Sequence, residues 1–233
     1  MMRIVWGALA LGVAFVADQG LAQNSPVVVE LFTSQGCSSC PPADAVLAEL
    51  ATRDDVIALA LHVDYWDYIG WKDTFAQPAF TNRQQNYAGF AGQRVVYTPQ
   101  MMVGGLDSIV GSDAMALMDG IAAHQSVEPA VRLGLTRHGD VLSISAQVVA
   151  PIDGPLTVQL VRYTPEETVD IQSGENAGHS ISYVNVVTSW ETLQSWDGAE
   201  PLAIDMPIQG SDPAVVIVQR AGPGLIVAAA RLR

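Results

Sequence analysis

Two cysteines three residues apart carry the clearest chemistry in this chain. Cys37 and Cys40 are its only cysteines. They follow an apolar, β-branched run at residues 27–32, typical of a buried strand, and precede a stretch, 43–50, with apolar residues at helical spacing. On the first turn of a helix this separation brings both sulfurs to the same end, close enough to form a disulfide and release it.

The end of a helix also predicts which sulfur reacts. Unpaired N–H groups and the helix dipole favour the ionised form of a thiol, and the thiolate is the form that attacks disulfides. We therefore expect Cys37, the outer cysteine, to be the nucleophile and Cys40, one turn further in, to be the resolving thiol.

Other uses of the pair are weighed on the rest of the sequence. A zinc site would need a second pair of ligands, and the four histidines are scattered, so no metal and no cofactor are expected. A structural disulfide would close a very small loop and would constrain the unfolded chain weakly. Two alternatives stay open: a binding or assembly module that turns nothing over and, less favoured, a Cu(I) carrier.

The N-terminal residues predict export. Residues 1–22 contain Arg3, an apolar run from Ile4 to Val16 and small residues before Gln23, the pattern of a signal peptide. The apolar run is shorter than the roughly 20 residues that cross a bilayer, so we expect no stable membrane anchor after cleavage. A periplasmic or secreted protein fits the paired cysteines, because disulfides persist in those compartments.

Charge excludes two classes of partner. The net charge is -13 and Lys72 is the only lysine, so nucleic acid and anionic lipid are both repelled. The composition, 49% hydrophobic and 15% charged, is that of a globular protein with one large or two small domains.

Residues 26–125 read as an α/β unit around the cysteines. A second apolar run, 56–64, predicts a parallel strand, and parallel strands end on the same edge of a sheet. The aromatic loop that follows, 64–73, should therefore open beside Cys37. Tyr65 and Trp66 are candidates for holding an extended substrate, with packing of the loop onto the domain an equally weighted alternative.

The remaining elements of the first half are a helix at 78–90, a strand opened by Thr98-Pro99, a hairpin at Gly104-Gly105 and a helix at 113–124. With the cysteine pair, this order resembles the thioredoxin fold. The resemblance implies that Pro99 is a cis proline lying against the disulfide and that Thr98 offers backbone groups to a bound polypeptide.

Five motifs carry a more specific resemblance: FTSQGCSSCPPAD at 32–44, HVDYWD at 62–67, GWKD at 70–73, VYTPQM at 96–101, and EN at 175–176 with YVNVV at 183–187. Together they are similar to a family of exported bacterial proteins known as a domain of unknown function with a thioredoxin-like fold. The likeness covers nearly the whole chain after residue 22 and says little about substrate.

The second half, 127–233, changes to alternating strands separated by Pro, Gly and Asp turns, which predicts an antiparallel β-sandwich of roughly seven strands. Its polar segment, 166–182, either reaches the cysteine edge or is a solvated hairpin tip, the second slightly favoured. The expected fold class is an α/β thioredoxin-like domain followed by an all-β sandwich. On this division a fragment ending after His124 should keep its fold.

These observations together predict an exported thiol–disulfide oxidoreductase that acts through Cys37 and Cys40 on a protein or peptide. Its partners would be the thiols or disulfides of that substrate and an unidentified redox partner. Thr98 and Pro99, with Tyr65 and Trp66, are the expected substrate-binding residues.

Overall fold

The computed structural model describes residues 25–232, so the predicted signal peptide, residues 1–22, lies outside the described residues. The described part of the first half contains three α-helices and four strands: β1 (Val27–Thr33), α1 (Pro41–Ala51), β2 (Val56–His62), α2 (Pro78–Phe90), β3 (Gln100–Val103), β4 (Asp107–Val110) and α3 (Ala114–Gln125). A short 3-10 helix, Asp67–Ile69, lies between β2 and α2. Within 25–232, none of the helices has the length and apolar character needed to cross a bilayer.

The second half is built from strands: β5 (Val131–His138), β6 (Val141–Val148), β7 (Leu156–Asp170), β8 (Ser180–Trp196), β9 (Leu202–Pro207), β10 (Ala214–Arg220) and β11 (Ile226–Leu232). The alternation in its sequence therefore predicted strands where strands are found, and the expected number of about seven agrees with the structure.

The cysteines follow a central, fully buried strand. Every residue of β1 and β2 is buried, and the two strands are parallel with Thr33 opposite His62. β3 is antiparallel to β1, and β4 is antiparallel to β3. Uninterrupted apolar runs suit β1 and β2 because both faces of these strands are covered. The carboxyl ends of β1 and β2 therefore meet at one edge of the sheet.

The sheet continues across the expected domain boundary. Its order is β11-β10-β7-β8-β2-β1-β3-β4, so four strands of the second half extend the sheet of the first. β8 meets β2 through one parallel pair, Ala60 with Val186, and the Asn185 side chain donates to the Ala58 carbonyl at 2.9 Å. Without β8 the edge of β2 would present unpaired backbone groups.

The other three strands of the second half form a sheet of their own, β5-β6-β9. Leu142 and Ile144 of β6 share a buried apolar cluster with Val158 of β7 and with Val216 and Val218 of β10. The strands of the second half thus lie in two sheets, and the larger of these sheets also contains the four strands of the first half. We expected a separate sandwich; the long β7 and β8, of 15 and 17 residues, instead join the halves.

Candidate redox site

Cys37 and Cys40 are joined by a disulfide at the carboxyl end of β1, with their Cα atoms 5.4 Å apart. Helix α1 begins at Pro41, and Cys40 is its N-cap residue. The pair therefore precedes the helix, in a turn closed by the Cys40 N–H donating to the Cys37 carbonyl at 3.1 Å. The expected placement of the cysteines on the first helical turn is therefore wrong. Two prolines occupy that turn instead, where the N–H groups that they lack are not needed.

The sulfur of Cys37 accepts a hydrogen bond from a residue of the predicted substrate site. The Thr98 hydroxyl donates to Cys37 Sγ at 3.2 Å, and the Trp66 indole N–H donates to Thr98 Oγ1 at 2.7 Å. Ser39 Oγ lies 3.4 Å from the same sulfur. A hydroxyl that accepts one hydrogen bond while it donates another is polarised by this series of hydrogen bonds. This arrangement favours negative charge on Cys37.

The sequence led us to expect an exposed Cys37, but the structure buries it. Only 2% of the residue is exposed, and Cys40 is fully buried, whereas Ser38 and Ser39 face solvent. The aromatic loop lies against the turn: a Cβ at Gly36 would be 3.3 Å from both Trp66 Cβ and Ile69 Cδ1.

The aromatic loop combines packing with an exposed ring. Trp66 is half-buried and stacks on Tyr68, which is 81% exposed, with ring centroids 6.4 Å apart. The Tyr65 hydroxyl donates to Gln84 of α2 at 3.2 Å, and burial raises the pKa of that phenol to about 12. Tyr65 therefore suits the packing of the loop onto the domain, whereas Tyr68 is open to solvent and suits the holding of a substrate.

The Thr98–Pro99 peptide bond is cis, as the resemblance implied. The Pro99 carbonyl accepts from the Gly111 N–H at 2.9 Å, and a Cβ at Gly111 would be 2.8 Å from Pro99 Cβ and 2.9 Å from Ala43 Cβ. Only a glycine allows this close approach between the cis-proline turn and helix α1. Within 25–232, the backbone N–H and carbonyl of Thr98 make no hydrogen bond.

A buried carboxyl lies on the helix that begins at the redox pair. Asp44 is four residues beyond Cys40, so the two share one face of α1. Thr33 donates to Asp44 Oδ1 at 2.8 Å, while Oδ2 has no partner among the described residues. Burial raises the pKa of Asp44 to about 6, although nearby His62 acts in the opposite direction. Sequence analysis did not identify Asp44; its spacing with buried Leu47 was the available signal.

His62 and Asp73 form a second buried pair close to this carboxyl. His62 Nδ1 lies 2.7 Å from Asp73 Oδ2, and both side chains are fully buried. Asp73 also accepts from the Gln35 N–H at 2.8 Å, two residues before Cys37. Burial alone would raise the pKa of Asp73, but the hydrogen bonds and charge supplied by His62 and backbone amides hold it below its usual range.

The second half contributes directly to this edge. The tip between β7 and β8 (residues 171–179, called the β7–β8 tip) places the Asn176 amide 2.9 Å from the Gln35 carbonyl and 3.1 Å from the Cys37 carbonyl. The expectation of a solvated hairpin tip is therefore wrong, and the polar segment reaches the cysteines. The length of the polar segment around Glu175 and Asn176 was the sequence signal for this contact, although it did not indicate which residues Asn176 meets.

The described residues place no cluster of potential metal ligands at this site. In the part of the chain that the structure describes, no group of three or more His, Cys, Asp or Glu side chains is placed to hold an ion. Met101 and Met102, which follow Pro99, are buried in two different apolar clusters. Neither thioether is thus left exposed beside the cysteines.

Comparison with known proteins gives a family and a fold relative. Residues 28–219 match the family described as "Protein of unknown function (DUF1223)". An X-ray crystal structure of protein AGR_C_4864 from Agrobacterium tumefaciens is 34% identical over 91% of this chain and 96% of that chain, with a TM-score of 0.78. A hypothetical protein from Pyrococcus horikoshii OT3 is 11% identical, covering 45% of this chain and 88% of its own, with a TM-score of 0.23. No curated protein matches the chain.

Proposed function

The chain belongs to the DUF1223 family, and we propose that it is an exported thiol–disulfide oxidoreductase acting through Cys37 and Cys40 on a protein or peptide substrate. The observation that carries the proposal is the donation of the Thr98 hydroxyl to Cys37 Sγ at 3.2 Å, beside the cis peptide bond at Pro99. A donor aimed at a sulfur stabilises that sulfur as a thiolate, the leaving and attacking species in disulfide exchange.

The proposed fold of the first half is thioredoxin-like. Its support is the order β2-β1-β3-β4, with β1 and β2 parallel, helices α1 and α2 between successive strands, and the cysteines after β1. The unpaired backbone groups of Thr98 support a substrate groove in which an extended peptide pairs beside the disulfide. In this groove Tyr65 and Trp66 would form the wall on the side of the aromatic loop.

Exchange starting from the disulfide form moves two electrons. A substrate thiolate attacks Cys37 Sγ, forms a mixed disulfide and expels Cys40 as a thiolate, which takes up one proton. A second substrate thiolate then attacks the substrate sulfur of the mixed disulfide and releases Cys37 as a thiolate. The substrate dithiol has become a disulfide, and the chain holds a dithiol that a disulfide of the redox partner reoxidises. The reverse sequence reduces a substrate disulfide.

We assign the exchange of the Cys40 proton to Asp44. It lies on the same helical face one turn beyond Cys40, and its raised pKa, about 6 because of burial, is suited to both giving and accepting a proton near neutral pH. When Cys40 is expelled as a thiolate, the protonated carboxyl donates. When Cys40 must attack a mixed disulfide, the carboxylate accepts.

The test is an equilibrium titration of the pair against reduced and oxidised glutathione, followed by reactivity of the single thiols. Cys40→Ser should form a stable mixed disulfide through Cys37, and limiting iodoacetamide at falling pH should label Cys37 first in the reduced protein. Labelling led by Cys40, or no mixed disulfide in either Cys40→Ser or Cys37→Ser, would contradict the proposal.

A binding module is the second candidate, favoured by the burial of both cysteines. On that alternative the disulfide fastens the turn and the groove holds a peptide without exchange. The two candidates separate on one measurement: a binding module retains peptide affinity in a Cys37→Ser, Cys40→Ser double variant and reacts with glutathione no faster than an ordinary buried disulfide.

A further inference from the structure

We infer that Asn176, supplied by the second half of the chain, is a positioning residue for the redox pair; the inference rests on the proposed function. The residue is 6% exposed, and its amide donates to the Gln35 carbonyl at 2.9 Å and to the Cys37 carbonyl at 3.1 Å. These two hydrogen bonds fix the peptide planes on both sides of the Gly36–Cys37 segment.

The amide comes from an ordered support. Within the β7–β8 tip, the Ile171 N–H donates to the His179 carbonyl at 2.9 Å, and the Gly178 N–H donates to the Ile171 carbonyl at 2.8 Å. The tip is also fastened to the aromatic loop, because Ser173 Oγ donates to the Gly70 carbonyl at 2.6 Å. Asn176 is therefore held by bonds other than the two that it donates to the cysteine turn.

This support matters most when the disulfide is open. In the mixed disulfide no bond between the two sulfurs holds the turn, so the hydrogen bonds of the turn contribute more to keeping Cys40 facing Cys37. Cys40 must then attack Cys37 Sγ, forming the internal disulfide while the substrate sulfur leaves as a thiolate with the electron pair of the broken bond. By fixing the Cys37 carbonyl, which also accepts from the Cys40 N–H, Asn176 raises the effective concentration of the resolving thiol.

Removing the amide should therefore change resolution and leave the first attack alone. In Asn176→Ala we expect the mixed disulfide with glutathione to be about tenfold more populated at equilibrium, since two hydrogen bonds that oppose opening of the turn are lost. The rate at which iodoacetamide alkylates Cys37 should change less than about twofold.

The experiment uses the full-length chain in glutathione buffers, with acid quenching and mass spectrometry to count the reduced, mixed and oxidised forms. Asn176→Asp is the second variant, since at pH 7 an ionised carboxylate cannot donate to either carbonyl. Gln172→Ala is the matched control: it removes an exposed side-chain bond of the same tip, to the Asp170 carbonyl, and it should leave the three populations unchanged. Circular dichroism establishes that each variant is folded.

Four outcomes overturn the inference. Equal mixed-disulfide populations in the wild type and the Asn176 variants would do so while leaving the proposed function intact, and so would an equal effect of Gln172→Ala. Loss of folding in both Asn176 variants would assign the residue to stability instead of positioning. A wild-type chain that forms no mixed disulfide at all would overturn the proposed function and, with it, this inference.

Discussion

The Asp44 carboxyl gives the stability of the folded protein a defined dependence on pH. Its folded pKa, raised to about 6 by burial, exceeds the ordinary value of 3.8, so the native state holds this proton more tightly than the unfolded chain does. The contribution of Asp44 to the free energy of unfolding then falls as pH rises from about 4 to about 6, and levels off above that, by about 3 kcal/mol at most.

Asp44→Asn should remove this fall, because an amide carries no charge at either pH and its oxygen can still accept from Thr33. We expect the oxidised variant to be about 2 kcal/mol more stable than the wild type at pH 7 and similar to it at pH 4, measured by urea unfolding. Asp119→Asn, at an exposed carboxyl of α3, is the control. Parallel stability curves for the wild type and Asp44→Asn would contradict the assignment.

The Thr98 hydroxyl should lower the pKa of the Cys37 thiol. Trp66 donates to Thr98 Oγ1, and the Thr98 hydroxyl in turn donates to the sulfur. Thr98→Val keeps the shape and removes the donor, and a hydrogen bond to a charged group contributes about 1.5 kcal/mol or more, so the pKa of the thiol should rise by about one unit. The pH dependence of iodoacetamide alkylation of the reduced chain measures it. Thr98→Ser should behave like the wild type, and identical profiles for all three chains would rule the donor out.

At the scale of elements, the junction between β2 and β8 depends on one side chain. Asn185 is buried with a φ of 48°, in the left-handed region that most side chains avoid, and its amide bonds the Ala58 carbonyl where only one residue pair joins the strands. The side chain thus satisfies a backbone acceptor that the short pairing leaves open.

Two substitutions at Asn185 should separate these contributions in urea unfolding. Asn185→Gly tolerates the backbone conformation but loses the hydrogen bond, and we expect a loss of about 1 kcal/mol. Asn185→Ala loses the bond and strains the backbone, so about 2 kcal/mol should be lost. Equal losses would show that the backbone conformation costs nothing. A control is Asn82→Ala on the exposed side of α2, which should change stability by less than about 0.5 kcal/mol.

The elements also show what the sequence could and could not predict. β1 and β2 depend on short apolar runs, and local patterns sufficed for them, whereas the cis bond before Pro99 was implied by the resemblance to a known fold. The contacts of Asn176 with Gln35 and Cys37 join residues about 140 positions apart, and periodicity carries no information about such pairs. Asp44 was missed because a single carboxyl in a helical stretch indicates a solvent-facing residue until the neighbouring strands are placed.

At the scale of the molecule, the two halves share a core as well as a sheet. One buried cluster contains Phe32 and Leu59 of the first half with Val161 and Val187 of the second. Tyr183 of β8 is buried against the His62 ring, with centroids 4.9 Å apart. Removing the second half would expose this apolar surface, leave His62 and Asp73 open to water and uncover the edge of β2.

From the sequence pattern alone we expected a fragment ending after His124 to keep its fold. Because the two halves share a core, we now predict the opposite. A fragment of residues 25–125 should lack a cooperative urea transition, because it retains only one side of the shared core. The full chain should instead unfold in one transition, seen at the same urea concentration by circular dichroism and by fluorescence of Trp66 and Trp71 in the first half and Trp190 and Trp196 in the second. A cooperatively folding fragment with an oxidised Cys37–Cys40 pair, or two separated transitions in the full chain, would show that the halves are independent domains that happen to align their strands.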